Sequence, residues 1–188
     1  LEDKKEELIK AATEIFSEYG YKKTNISMIT KRAGMAVGSF YSFFNSKEEI
    51  FMKVHLLENN RVRNKITDSV KPDDDLQKTI TAIFSGISEN ILSNKILREW
   101  YNPQIREKLK EYYRHKEIQK ENYFSNFIMD TLGKKLSERG YPEEETKRIL
   151  KVLDFLSFID LNVRSEEFDG YENTVKTLMT YFLKGVFL

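Results

Sequence analysis

The 188-residue sequence contains no cysteine. That excludes disulfide staples and thiolate metal sites, and it points to a reducing, cytoplasmic setting. Proline occurs three times, at Pro72, Pro103 and Pro142, and glycine only eight times. So few backbone breakers favour long helices over turn-rich sheet. No apolar run approaches the roughly 20 residues that span a bilayer, and the opening "LEDKKEELIK" lacks the apolar core of a signal peptide. Catalytic signatures are missing too. There is no "HExxH", no phosphate loop and no di-iron "ExxH" pair, and His55 and His115 lie far apart with no nucleophile motif beside them. The run Glu143–Glu145 reads as acids at a helix start, where the dipole favours them, rather than as a metal site. The expectation is a protein that is not an enzyme and carries no metal or cofactor.

Charge of one sign is missing overall: 31 Lys and Arg face 30 Asp and Glu. Its distribution is less even. Between Tyr19 and Ser46 the bases Lys22, Lys23, Lys31 and Arg32 meet no acid in the sequence. A local basic stretch on a near-neutral chain suggests a polyanionic partner for one region.

What is present reads as helix throughout. Leu8, Ile9, Ala12, Ile15, Phe16 and Tyr19 recur at three and four, which predicts a first helix over about 3–19, stopped by Gly20. Asn25 is a good N-cap for a short second helix ended by Gly34, and a third spans about 37–43. "SKEE" at Ser46–Glu49 is a capping box that opens a fourth helix running to about Val70. "KPDDD" at 71–75 is the clearest seam. Beyond it lie an amphipathic helix over about 76–91, a short one over 96–101, and a long one from Pro103 to about Glu138. Helices over about 142–164 and 171–187 follow. The fold class is all-α with about nine helices. Residues 1–47 read as an N-terminal three-helix unit, 48–70 as a connecting helix, and 71–188 as a larger C-terminal helical part.

Two short helices joined by a Gly-containing turn form a helix-turn-helix. Ala36, Val37, Gly38, Ser39 and Ser42 are small, as a helix seated deep in a major groove requires. Tyr41 offers a hydroxyl to a phosphate at the rim. Thr24, Asn25 and Lys47 stand at helix starts, where free N–H groups and the dipole favour an anion. Phe40 and Phe44 are expected in the core. A plain turn between packed helices would not explain the lack of bulk on the outer face. The pattern of a Thr, an Ile, "AG", an aliphatic residue, a Gly, an aromatic residue, Tyr, a Phe and "SK-E-E" over about residues 4–51 resembles the N-terminal domain of tetracycline-repressor (TetR) family regulators. The preceding "AATEIFSEYGYKKT" is similar to that family's first helix. The resemblance implies a homodimeric transcription factor. Its C-terminal helices would bind a small-molecule effector, which swings the fourth helix like a pendulum. One departure stands out: Ala36 and Val37 replace the Ser or Thr and the Lys common there. Their methyl groups would suit thymine rather than a phosphate.

The last two helices carry apolar residues on more than one face, notably Ile149, Val152, Leu153, Phe155, Leu156, Phe158, Ile159 and Val163. A helix apolar on two sides packs on its own core and on a partner. A homodimer through these helices follows, as the resemblance also implies. Two reading heads about 34 Å apart then meet a pseudo-palindromic operator of double-stranded DNA. Candidate walls for a ligand pocket are Phe84, Ile87, Trp100, Tyr101, Tyr113, Tyr123, Phe127 and Phe158. Asp154 and Asp160 interrupt an apolar run, and a carboxylate there would meet a cationic ligand, an Arg such as Arg98 or Arg106, or simply solvent. Two alternatives stay open: an architectural DNA-binding protein without an effector, and an all-α enzyme.

Overall fold

The computed structural model describes residues 2–114, 122–162 and 168–187, and omits some side chains within those helices. Among the described residues the chain is all-helical. The order is α1 Glu2–Lys23, α2 Ile26–Arg32, α3 Val37–Phe40, α4 Lys47–Ser69, α5 Leu76–Ser93, a 3-10 turn at Leu97–Tyr101, α6 Pro103–Arg114, α7 Asn122–Glu138, α8 Glu143–Asn162 and α9 Tyr171–Phe187. The expected single helix over 103–138 is described as α6 and α7, with 115–121 outside the described residues; so is the expected helix end near Arg164.

The chemistry of the helix ends is largely what the sequence predicts. Gly34 and Gly140 adopt φ of 66° and 89°, a left-handed conformation that costs side chains with a Cβ about 1–2 kcal/mol. Each closes its helix with a six-to-one bond, Met35 N–H to Thr30 O at 2.8 Å and Tyr141 N–H to Leu136 O at 3.1 Å. Asp75 accepts from Lys78 N–H at the start of α5, and Asn102 accepts from Gln104 N–H beside Pro103 at the start of α6. The capping box is half as expected. Ser46 Oγ accepts from Glu49 N–H at 3.1 Å, but the Glu49 carboxylate reaches back to the backbone and side-chain N–H groups of Asn45, one residue earlier.

Packing divides the chain into two compact units, Leu1–Asn64 with Ile87–Tyr112 and Lys65–Gly86 with Tyr113–Leu188. These limits differ from the expected boundaries at 47/48 and 70/71. The segment 87–112, placed with the effector domain by sequence order, packs with the N-terminal helices. The first unit buries Leu8, Ala12 and Phe16 of α1, Ile29 of α2, Phe40, Phe44, and Ile50, Phe51 and Val54 of α4. Phe51 meets Phe16 edge-on at 4.9 Å and Tyr21 at 4.7 Å. Each such ring contributes roughly 2–3 kcal/mol by leaving water.

The second unit buries Ile66, Leu76, Ile80, Ile83, Leu132, Leu136, Ile149, Leu153 and Leu156. A Cβ on Gly86 would lie 2.8 Å from Ile66 Cγ1, so α5 approaches α4 more closely than alanine allows. Lys135 Nζ donates to Pro72 O at 2.8 Å, and the Tyr141 hydroxyl donates to Val186 O. Val152 and Phe155 of α8 and Leu178 and Tyr181 of α9 remain exposed, Tyr181 at 69%.

Candidate nucleic-acid interface

The N-terminal helices are built around buried aromatics, and the small residues are left outside. Phe40 is fully buried and Phe44 nearly so, as expected, with ring centroids 5.9 Å apart. Anchored by them, α3 turns Ala36, Val37, Gly38, Tyr41 and Ser42 to solvent, with Ser39 half-buried. Val37 is 45% and Tyr41 57% exposed. Gly38 is not explained by the fold. Its φ is not positive, and a Cβ on it would meet no atom within 4 Å beyond its chain neighbours and its own helix backbone. A helical glycine costs about 1 kcal/mol relative to alanine, so the bare position leaves space that nothing in this chain occupies.

Two of the expected phosphate contacts turn inward instead. Thr24 is 2% exposed, and its hydroxyl donates to Gly20 O at 2.7 Å. Lys47 Nζ donates to Tyr21 O at 3.1 Å and Thr24 O at 3.0 Å, and stands 4.2 Å over the Tyr21 ring. The Lys47 ammonium therefore finishes the carbonyls at the end of α1. Asn25 stays outside; its Oδ1 caps α2 by accepting from Met28 N–H at 3.0 Å, which leaves its side-chain N–H groups to face solvent.

The basic stretch also differs from its appearance in the sequence. Arg32 binds Glu14 at 2.9 Å and Glu18 at 3.1 Å, both on α1. The Tyr19 hydroxyl and the Arg32 guanidinium hold the Glu18 carboxyl below its usual range. The exposed bases around α3 are then Lys22, Lys23 and Lys31. Deeper in the unit, burial and then a hydrogen bond to Glu48 push the Tyr21 phenol above its ordinary value. The first turn of α4 is thereby tied to α1.

The residues named for a ligand pocket are distributed over both units. Trp100 and Tyr101 belong to the first, where Trp100 lies 6.4 Å from the His55 ring. Tyr113, Phe127 and Asp154 belong to the second. The side chains of Phe84, Ile87, Tyr123, Phe158 and Asp160 lie outside the described residues. Asp154 is exposed, so of the alternatives open for it from the sequence the solvated one holds. Two open clefts in the second unit, about 510 and 500 Å³, are lined by α5 residues such as Lys78 and Thr81 and by α8 and α9 residues such as Arg148 and Phe182. Neither includes an expected wall residue. Arg106, named from the sequence as a possible partner for a buried carboxylate, is itself buried, as are Lys110, four residues on along α6, and Lys135; Lys110 pairs with Glu107 and Lys135 with Glu138.

Among the described residues no group of three or more His, Asp or Glu could hold a metal ion. No helix there is long and apolar enough to cross a membrane.

Residues 8–54 match the family model described as bacterial regulatory proteins, tetR family. Among curated proteins, the Bacillus subtilis HTH-type transcriptional regulator YhgD is 28% identical over 101 residues, covering 52% of this chain and 53% of its own length. YdgC of the same organism is 40% identical over 68 residues, 36% of this chain and 34% of its own. The chain thus spans about half or less of the curated relatives it matches. Among solved structures, a TetR/AcrR-family regulator from Thermobifida fusca superposes with a TM-score of 0.59 at 19% identity, covering 97% of this chain and 98% of that one. That likeness establishes the fold.

Proposed function

We propose that this chain, which belongs to the tetR family of bacterial regulatory proteins, is a homodimeric repressor that reads a pseudo-palindromic duplex and releases it when a small molecule binds. It is a DNA-binding regulator; the dimeric, ligand-released mode of action is the proposal. The observation that carries it is the outer face of α3, with exposed Val37 and Tyr41 around an unfilled Gly38. A helix that exposes small side chains and keeps its bulk inside can enter a major groove about 12 Å wide. Ala36, Val37, Ser39 and Ser42 read base edges, with Val37 placed to touch a thymine methyl. Asn25, Tyr41 and the lysines at 22, 23 and 31 position the backbone. Exposed Val152, Phe155, Leu178 and Tyr181 on α8 and α9 supply the dimer surface.

Domain roles follow the same reading: residues 1–47 read the duplex, 48–70 connect, and 71–188 dimerise and take the effector. The effector would lie among the helices of the second unit, with Tyr113 and Phe127 as candidate walls. By mass action, a ligand that prefers the state unable to dock lowers DNA affinity by its ratio of affinities for the two states. The test is selection of duplexes from a random pool, followed by titration of a selected duplex with a panel of organic small molecules. Enrichment of a two-fold symmetric sequence, weakened by at least one compound, supports the reading. No enrichment overturns it. Enrichment that no compound alters favours an architectural protein.

A further inference from the structure

The C-terminal end of α1 is completed by residues far along the chain. Gly20 leaves the helical conformation at φ 75° and ψ 171°, which takes the next amide out of the α1 ladder. Tyr21 is only 7% exposed, and its N–H donates to Glu99 Oε1 at 3.2 Å, across 78 positions. Glu99 Oε2 accepts from Asn102 Nδ2, which fixes the carboxylate from its other side. Lys95 Nζ donates to Glu18 O at 2.7 Å. The same segment is tied to α4. Asn94 Nδ2 donates to Glu58 Oε1, and Lys108 Nζ stands 4.0 Å from Glu48. Trp100 lies against His55. The stretch 94–108 therefore spans from α1, on which α2 and α3 are mounted, to α4. Its hydrogen bonds accept and donate at fixed directions, so they set an angle as well as a distance.

We infer that Glu99 is a positioning residue for DNA reading: its carboxylate, held by Asn102 and bonded to the Tyr21 amide, fixes the angle between the DNA-reading helices and α4, and through it the half-site separation the dimer accepts. The inference rests on the dimeric reading above. In a rigid dimer, one added base pair in the spacer shifts a half-site by about 3.4 Å and turns it by about 35°, given about 34 Å and 10–10.5 base pairs per turn. Loss of the Glu99 tie lets the reading helices tilt to follow that shift. A defect of stability alone would lower the active fraction and weaken all duplexes by one factor.

The experiment uses duplexes selected by the unaltered chain, together with versions whose spacer is longer or shorter by one base pair, against the full chain and its Glu99→Ala and Glu99→Gln variants. Glu99→Ala is expected to lose about tenfold in affinity for the selected spacing, the scale of one lost charge-assisted hydrogen bond. It is also expected to lose most of its preference over the altered spacings. Glu99→Gln retains an acceptor for Tyr21 N–H and keeps the preference. Lys95→Met, which breaks the bond to Glu18 O, serves in the same assay if Glu99→Ala does not fold, and it should relax the preference in the same sense. Unchanged spacing ratios in a folded Glu99→Ala or Lys95→Met variant overturn the inference while leaving the repressor reading intact. An unaltered chain that enriches no duplex overturns both.

Discussion

Three single residues, Gly38, Lys47 and Arg32, bear on the proposed interface. Gly38 lies on the face proposed to dock in the groove, and a Cβ there would meet no atom within 4 Å beyond its chain neighbours and its own helix backbone. Gly38→Ala should therefore raise thermal stability by about 0.5–1 kcal/mol, the propensity difference, while weakening binding to a selected duplex. A melt and a titration of the same preparation check both signs, and unimpaired binding would mean that nothing approaches that face. Lys47 lies at the start of α4, beside an anion-favouring helix end, yet its ammonium bonds Tyr21 O and Thr24 O. Lys47→Met should cost about 1–2 kcal/mol of stability, as for hydrogen bonds made by a charged group. The salt dependence of DNA binding should stay nearly as steep, because no phosphate contact is lost; a log–log slope smaller by about one unit would show that Lys47 does neutralise a phosphate. Arg32 makes the same point: a charge with no acid near it in sequence is paired with Glu14 and Glu18 one helix away.

At the scale of the element, α4 is the informative helix. His55 lies on it between Phe51 and Trp100, 3% exposed. Burial pushes its pKa down from 6.5 to about 4, while a hydrogen bond to the Leu97 backbone opposes the shift. The folded state thus favours the neutral ring. The stability gained from that preference is complete above pH 6.5 and is lost as pH falls toward 4. Between pH 7 and pH 5 the contribution lost is about 2 kcal/mol. Denaturant titrations at the two values measure it, and His55→Phe should flatten the difference. Were the unmodified and His55→Phe chains to lose stability equally, His55 would not be the group responsible. The helix ends were readable without coordinates. Gly34, Gly140, Asp75 and Asn102 act locally, and the rules for caps involve only a few consecutive residues. The reach of Glu49 to Asn45 rather than Ser46 was not readable, because it depends on how the chain enters α4.

At the scale of the whole molecule, the exposed apolar residues on α8 and α9 carry the prediction. Phe155 is 58% exposed and Tyr181 69%, more apolar surface than an isolated chain ordinarily leaves wet on adjacent helices. Phe155→Glu should shift the chain from dimer to monomer in sedimentation. It should also abolish high-affinity binding to a duplex with two half-sites, since one reading head alone contacts few base pairs. A dimer that survives this substitution would place the interface elsewhere. The described units also redistribute the candidate pocket residues, because 87–112 packs with the N-terminal helices although it follows the seam at 71–75.

The all-helical fold, the helix-turn-helix, the burial of Phe40 and Phe44 and the exposure of α3 were determined by sequence alone, since periodicity, caps and side-chain size act within a few residues of one another. Tertiary structure alone decided which charges remain free, where the Lys47 ammonium points, that Asp154 meets solvent, and that Glu99 completes the end of α1. Each of these depends on groups brought together from distant positions, and a buried donor or charge takes whichever partner the packing puts within about 3 Å.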